Sequence, residues 1–278
     1  MKLSKTSIAR VISIAAAWIF SMLVVLLIGL LILRLTLCNP NFLKKQILDS
    51  NYISAAEQEM EENFKSYGAA GGFESDVMLS LVNLDMLRND LLSAVDLLYG
   101  QTAQEPDYTV YEEHAYQILT QNIAERNITM TDEITEGVRV LAQTCASDYA
   151  QRATIPFLSY LKPLILMVQK ITFGAILGII AASAVCLWLM FALHRNKRNG
   201  LAYTCQSLIA ASVLSCAAPI ALDLFLPVES LLLSPASLKL LLVTYVQNLF
   251  ASIWPFSIAV VVVTAATCTV YAMKKTHF

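Results

Sequence analysis

The chain has 278 residues, of which 57% are hydrophobic and 14% charged, against about 45–50% and about 25% in an average soluble protein. So large an apolar excess cannot be carried on a water-facing surface, and it marks a membrane protein. Three histidines, six dispersed cysteines and a net charge of −2 exclude a metal cluster, a disulfide framework and a basic nucleic-acid footprint. The lipid bilayer is therefore the first partner expected, with no cofactor, no metal and no nucleic acid.

In chain order, residues 1–10 contain Lys2, Lys5 and Arg10 and are followed by Val11 to Leu33, 23 residues without a charge. At about 1.5 Å per residue this run crosses the roughly 30 Å of bilayer hydrocarbon. It is too long for a signal-peptide core of about 7–15 residues. Bulky Leu37 before Cys38 also argues against a lipoprotein cleavage site. Residues 11–37 are read as a retained transmembrane helix.

Residues 38–162 carry 19 acids against 8 bases, and their length suffices for a core of their own. Ile53, Ala56, Met60, Phe64 and Tyr67 recur at steps of three and four, which predicts a helix that Gly68 ends. A second helix is expected from Ser75 to about Asn83. A third, capped by Asp85, carries Leu87, Leu91, Val95 and Leu98 and closes at Gly100. After a loop over Gln101 to Asp107, Thr109 and Glu112 form a capping box. That helix presents Ala115, Ile118 and Leu119 and closes near Asn127. Thr131 caps the last helix, with Ile134, Val138, Leu141, Cys145 and Tyr149 inward. No run alternates strictly, so the domain is predicted to be helical throughout.

Three features of this domain resemble chemistry without carrying it. Tyr67-Gly-Ala-Ala-Gly-Gly72 lacks the strand and the Gly-Lys-Ser/Thr of a phosphate loop and reads as a linker. Glu112, Glu113 and His114 are adjacent, so they leave a helix in different directions rather than converging on a metal. Asn127-Ile-Thr129 is a glycosylation sequon only in a glycosylating host. Cys38 and Cys145, the two cysteines outside the apolar runs, leave a disulfide open.

The second span is placed at 163–193, around the uncharged run Ile171 to Leu193, and the third at 201–226 after a basic loop at 194–200. Leu240 to Met273 is uncharged for 34 residues, roughly 51 Å of helix and more than one span needs. Ser234-Pro235 supplies a helix start. The run is accordingly divided into an outer loop with an interfacial helix at 227–249 and a fourth span at 250–273, followed by a tail at 274–278. Lys2, Lys5, Arg10, Arg195, Lys197, Arg198, Lys274 and Lys275 flank the spans on one side with no acid among them. The positive-inside rule then places both termini in the cytoplasm and residues 38–162 outside a plasma membrane. The expected fold class is an all-α integral membrane protein, with four transmembrane helices and a helical extracellular domain between the first and second.

Within the spans, Gly174, Gly178 and Ala182, with Cys186 continuing the spacing, form a small-xxx-small stripe. Ser207, Ala211 and Ser215 repeat it on the third span, and both stripes are expected to pack helices closely. Arg34, Lys170 and Asp223 are lone charges at similar depth near the span ends. Burial of a carboxylate asks for an opposite charge, so Asp223 is expected to pair with Arg34 or Lys170. No His-Glu-x-x-His set, carboxylate dyad or Walker motif is present.

The span ending in Leu-Thr-Leu-Cys-Asn-Pro-Asn-Phe42, the Asn51-Tyr52 helix start and three closing spans resemble a group of uncharacterised four-span envelope proteins of Gram-positive bacteria. In topology alone the layout is similar to FtsX and MacB type permease subunits, a likeness that implies coupling of an outer domain to an inner partner. The helical outer domain and the short loop between spans two and three depart from that type, and the analogy transfers no site residue. The reading is a non-enzymatic envelope protein whose outer domain binds or senses something, through a protein partner or in a homo-oligomer, coupled to a four-helix anchor. The alternative is a transporter or channel component, which would need a polar path lined by Gln206, Ser207, Ser215 and Asp223. An enzyme ranks third.

Overall fold

The structure is a computed structural model that describes residues 5–101, 107–154, 158–194, 197–226, 230 and 235–276. Among the described residues it is helical without strands. The helices are α1 (Lys5–Leu35), α2 (Pro40–Asp49), α3 (Tyr52–Gly71), α4 (Ser75–Leu79), α5 (Leu84–Leu98), α6 (Tyr108–Glu125), α7 (Asp132–Ala153), α8 (Leu158–Ala192), α9 (Lys197–Phe225), α10 (Ala236–Ala251) and α11 (Ile253–Thr276). Among the described residues four stretches are long and apolar enough to cross a membrane: Ile8–Leu35, Tyr160–Ala192, Lys197–Phe225 and Ala236–Met273. The chain divides into two compact units. One comprises Met1–Cys38, Met167–Leu231 and Val246–Phe278, and the other Asn39–Leu166 and Leu232–Tyr245.

In the second unit, buried residues recur every four positions along α3, at Tyr52, Ala56, Met60, Phe64 and Gly68. They meet Leu87, Leu91, Val95 and Leu98 of α5, Tyr111, Ala115 and Leu119 of α6, and Val138, Ala142, Cys145 and Tyr149 of α7. The rings of Tyr111 and Tyr149 stack at the centre, 4.2 Å apart and 10° from parallel. Leu241 of α10 belongs to the same core.

Several local expectations change. α3 does not stop at Gly68 but runs through the glycine-rich segment to Gly71, and Gly72 closes it at φ 77°, a conformation that only glycine adopts freely. The N-cap of α5 is Asn83, whose side chain accepts the Met86 N–H at 3.0 Å, so Asp85 sits in the first turn. α6 is capped by Asp107, which accepts the Thr109 N–H at 3.0 Å and its hydroxyl at 2.6 Å. Those hydrogen bonds hold the Asp107 carboxyl below its usual range. Thr131 caps α7 as expected, accepting the Ile134 N–H at 3.3 Å. α2 was not anticipated, although its signal is present: Asn39 caps it, accepting the Asn41 N–H, and Pro40 occupies the first helical position. Residues 102–106 of the expected loop, Ser234, and Arg195 and Asn196 of the basic loop lie outside the described residues.

In the first unit, α9 is the centre and packs most extensively on α11 and α1. Its Ser207, Ala211 and Ser215 are buried. Pro219 lacks the N–H that would bond the Ser215 carbonyl. The Ser257 hydroxyl of α11 donates to that carbonyl instead, at 2.8 Å, re-satisfying it as a proline-containing apolar helix requires. One heptad along α11, the Thr264 hydroxyl lies 3.3 Å from the Leu208 carbonyl and 2.7 Å from the Ser212 hydroxyl. Ser257→Ala is expected to lower stability in detergent by about 1–2 kcal/mol. Most of that loss should disappear in a Pro219→Ala background, where the new N–H reaches Ser215. An equal loss in both backgrounds would show that the hydroxyl does not replace the missing donor.

The stripe on α8 is a correction. A Cβ built at Gly174 or Gly178 would meet nothing within 4 Å, and Ala182 is exposed. α8 buries Thr172, Ile179, Cys186 and Met190 instead, a face at steps of seven and four. Among the described residues the Gly174, Gly178 and Ala182 face packs against no other helix.

Candidate functional site

The three lone charges of the spans are not brought together. No ion pair within 4.0 Å joins Arg34, Lys170 and Asp223, and none of the five ion pairs among the described residues includes them. Arg34, in the last turn of α1, places its guanidinium over the Phe173 ring, 5.4 Å from the centroid, a cation–π contact. Lys170 is exposed on α8, and Asp223 is exposed near the end of α9. The expected pairing is therefore not formed within this chain: the three side chains stand apart, with Arg34 on the Phe173 ring instead. Asp223 lines a cleft of about 310 Å³ with Pro219, Gln247, Phe250 and Trp254.

A polar path is not assembled either. Ser207 and Ser215 are buried and donate to the Thr204 and Ser212 carbonyls of their own helix, at 2.9 and 3.1 Å. Gln206 and Asp223 are exposed. Among the described residues no group of His, Cys, Asp and Glu is placed to hold a metal ion. Cys38 and Cys145 are free thiols. Cys145 is wholly buried among the core side chains, and burial, reinforced by the Asp148 charge, pushes its thiol up to about 12.

The polar cluster with the most structure lies in the helical unit, where three helices converge. Glu59 and Asn63 are one turn apart on α3, and Asp148 and Arg152 one turn apart on α7. The Arg152 guanidinium binds Asp148 Oδ1 at 2.6 Å, and its Nε lies 3.8 Å from Glu59 Oε2. Asn63 donates to the same Asp148 oxygen at 3.1 Å. Glu59 then reaches α10: its two oxygens accept the Ser237 N–H and the Ser237 hydroxyl, each at 3.0 Å. A carboxylate at a helix N-terminus satisfies orphan donors and complements the helix dipole. The Tyr52 hydroxyl donates to the Arg152 carbonyl at 3.2 Å. Burial, then the Glu59 charge, pushes that phenol up to about 12, with Arg152 opposing.

The side chains of Asp148, Arg152 and Glu59 are 9%, 13% and 21% exposed, so the cluster is largely desolvated. Asp148 Oδ2 is buried without a hydrogen-bond partner. Beside it, between α3 and α7, runs a groove of about 410 Å³ lined by Tyr67, Gln143, Thr144, Ser147, Asp148 and Gln151. Burial, followed by the Asp148 charge, raises the Tyr67 phenol.

None of these five cluster residues stands out in the sequence. A faint signal exists: Asp148 falls inside the buried stripe of α7, between Cys145 and Tyr149, with Arg152 four residues on, a position where a charge is expensive unless paired. Ser237 follows the Ser-Pro helix start, whose N-terminus is capped from elsewhere in the fold. No protein-family model matches the chain, and no curated protein or solved structure compared with it does so either.

Proposed function

We infer that the protein is a non-enzymatic component of the cell envelope in which the helical domain, outside the plasma membrane, binds or senses a ligand or partner and passes its state to the four-span anchor. The observation that carries this reading is α10. Its first turn is held by Glu59 of the buried cluster, and Leu241 lies in the core of the helical domain. Its last residues, Phe250 among them, belong to the membrane unit, and after Ser252 the chain continues as α11 on α9. A helix shared in this way is a covalent route by which a change at Glu59 reaches the spans. α8 has the same character, starting in one unit and ending in the other. The transporter alternative lacks equivalent support, since Ser207 and Ser215 are buried and bond within their own helix while Gln206 and Asp223 are exposed.

Two experiments test this. Glu59→Gln removes the charge at the α10 N-terminus while keeping its size, and hydrogen exchange at residues 237–241 is expected to quicken at least tenfold, with α9 unaffected. Unchanged exchange would mean that Glu59 does not hold the helix. For the topology, a cysteine introduced at the exposed Glu113 is expected to react with an impermeant maleimide on intact cells, and one at the exposed Asn199 to react only after lysis. The reverse pattern would place the domain inside and end the sensing proposal.

A further inference from the structure

The helical domain is strongly acidic, yet one of its surfaces is not. From Val140 to Gln151 the stripe of α7 formed by Val140, Gln143, Thr144, Ser147 and Gln151 carries no charged side chain, the exposed Arg139 at its border lying over the Tyr116 ring, 5.8 Å from the centroid, where a solvated surface ordinarily carries charge at a quarter to a third of its positions. The groove beside Tyr67 lies along this stripe, and its volume of about 410 Å³ falls in the lower range for small-molecule sites. Its one ionised lining residue, Asp148, is neutralised by Arg152 at 2.6 Å, is nine-tenths buried, and keeps one oxygen without a donor.

The chemistry of this lining selects among ligands. Two primary amides and two hydroxyls both donate and accept hydrogen bonds, and a phenol ring offers a flat face to C–H groups. An anion would find Arg152 already bound to Asp148 and Arg139 laid over the Tyr116 ring, with an acidic domain around it. A cation would meet a single carboxylate that already has its guanidinium. A neutral, hydroxyl-rich ring fits the exposed groups: its hydroxyls match the Gln143 and Gln151 amides and the Thr144 and Ser147 hydroxyls, and its C–H face matches Tyr67. We propose that the groove between α3 and α7 binds a neutral saccharide. Resting on the sensing role inferred above, this names its ligand and its first relay, because Asp148 connects through Arg152 to Glu59 and from there to the first turn of α10.

The test uses the full chain in lipid nanodiscs, because the sugar headgroups of glycoside detergents would compete. The probes are the β-1,4-linked tetramer of N-acetylglucosamine, cellotetraose, maltotetraose, a tetralysine peptide and a heparin fragment, each titrated by calorimetry. At least one neutral tetrasaccharide is expected to bind, and the double variant Gln143→Ala/Gln151→Ala to weaken it tenfold or more at an unchanged melting temperature, since both side chains are exposed. Asp148→Asn is a second variant, expected to weaken the same probe. The site is overturned if no tetrasaccharide binds, if the glutamine variant binds as the parent does, or if tetralysine or heparin is the probe retained. Hydrogen exchange at residues 237–241, followed with and without saccharide, separates the two ideas. Binding that leaves α10 unchanged keeps the site and removes the relay, whereas faster exchange in Glu59→Gln without any saccharide binding keeps the relay and removes the site.

Discussion

Replacing Arg152 with Ala is expected to destabilise the helical domain by about 3–5 kcal/mol, the range for removing one partner of a buried ion pair. The guanidinium lies between two carboxylates, Asp148 at 2.6 Å and Glu59 at 3.8 Å, with all three side chains mostly buried. Its loss leaves two like charges desolvated beside each other, and an uncompensated buried charge costs far more than a lost hydrogen bond. The packing of its aliphatic stem is lost as well, but that part is the smaller. Urea unfolding of the variants in nanodiscs measures the effect. Because the penalty comes from the orphaned carboxylates, Asp148→Asn/Arg152→Ala should lose less than Arg152→Ala alone. If the double variant loses as much as the two single variants summed, the groups do not interact, and the link between the groove and α10 has no physical basis. By contrast Arg126→Ala, which breaks the exposed pair with Glu74 at 2.6 Å, should cost no more than about 1 kcal/mol.

The contrast between these two pairs also marks what could be read before the structure. Class and span number follow from local chemistry: uncharged runs of sufficient length, and apolar residues at steps of three and four. The buried faces of α3, α5 and α7 appear directly in that spacing. Details set by contacts distant in the chain do not. A small-residue stripe has the same sequence whether another helix meets it, as on α9, or none does, as at Gly174 and Gly178. Asp223, Arg34 and Lys170 look alike in depth along the chain, but which of them share a side of the bundle is set by packing, and no ion pair among the described residues includes them. Asp148 and Arg152 read as a pair one turn apart, with the place of Asp148 in the buried stripe as the one hint of burial, and only the fold shows that Glu59, some ninety residues earlier, closes the cluster over them. Helix starts fall between these cases. Several residues near each start are able to cap, and packing of the whole helix decides among them, so Asn83 and Asp107 displace Asp85 and Thr109.

Gly68 brings these strands together in a second expected result, and it concerns a residue read from sequence as a helix terminator. It lies inside α3, fully enclosed, and a Cβ added there would overlap Met78 Cγ and sit 3.1 Å from its sulfur. Met78 is itself wholly buried, so its flexible chain has nowhere to retreat without displacing α4. Two effects oppose each other in Gly68→Ala. Alanine gains about 1 kcal/mol over glycine in a helix interior, whereas overpacking a closed core costs about 1–3 kcal/mol. An overlap as deep as this puts the cost at the upper end, and a net loss of about 1–2 kcal/mol is expected. Gly137 is the internal control: it is helical, in α7 of the same domain, and its Cβ would meet nothing within 4 Å. There only the propensity term remains, and Gly137→Ala should stabilise by up to about 1 kcal/mol. Urea unfolding of the two variants, with Gly68→Ala repeated in a Met78→Val background, separates the terms, because shortening Met78 should shrink the penalty. Equal stabilisation by both alanines would mean that Gly68 only weakens its helix and that the close approach of α4 is not what requires it.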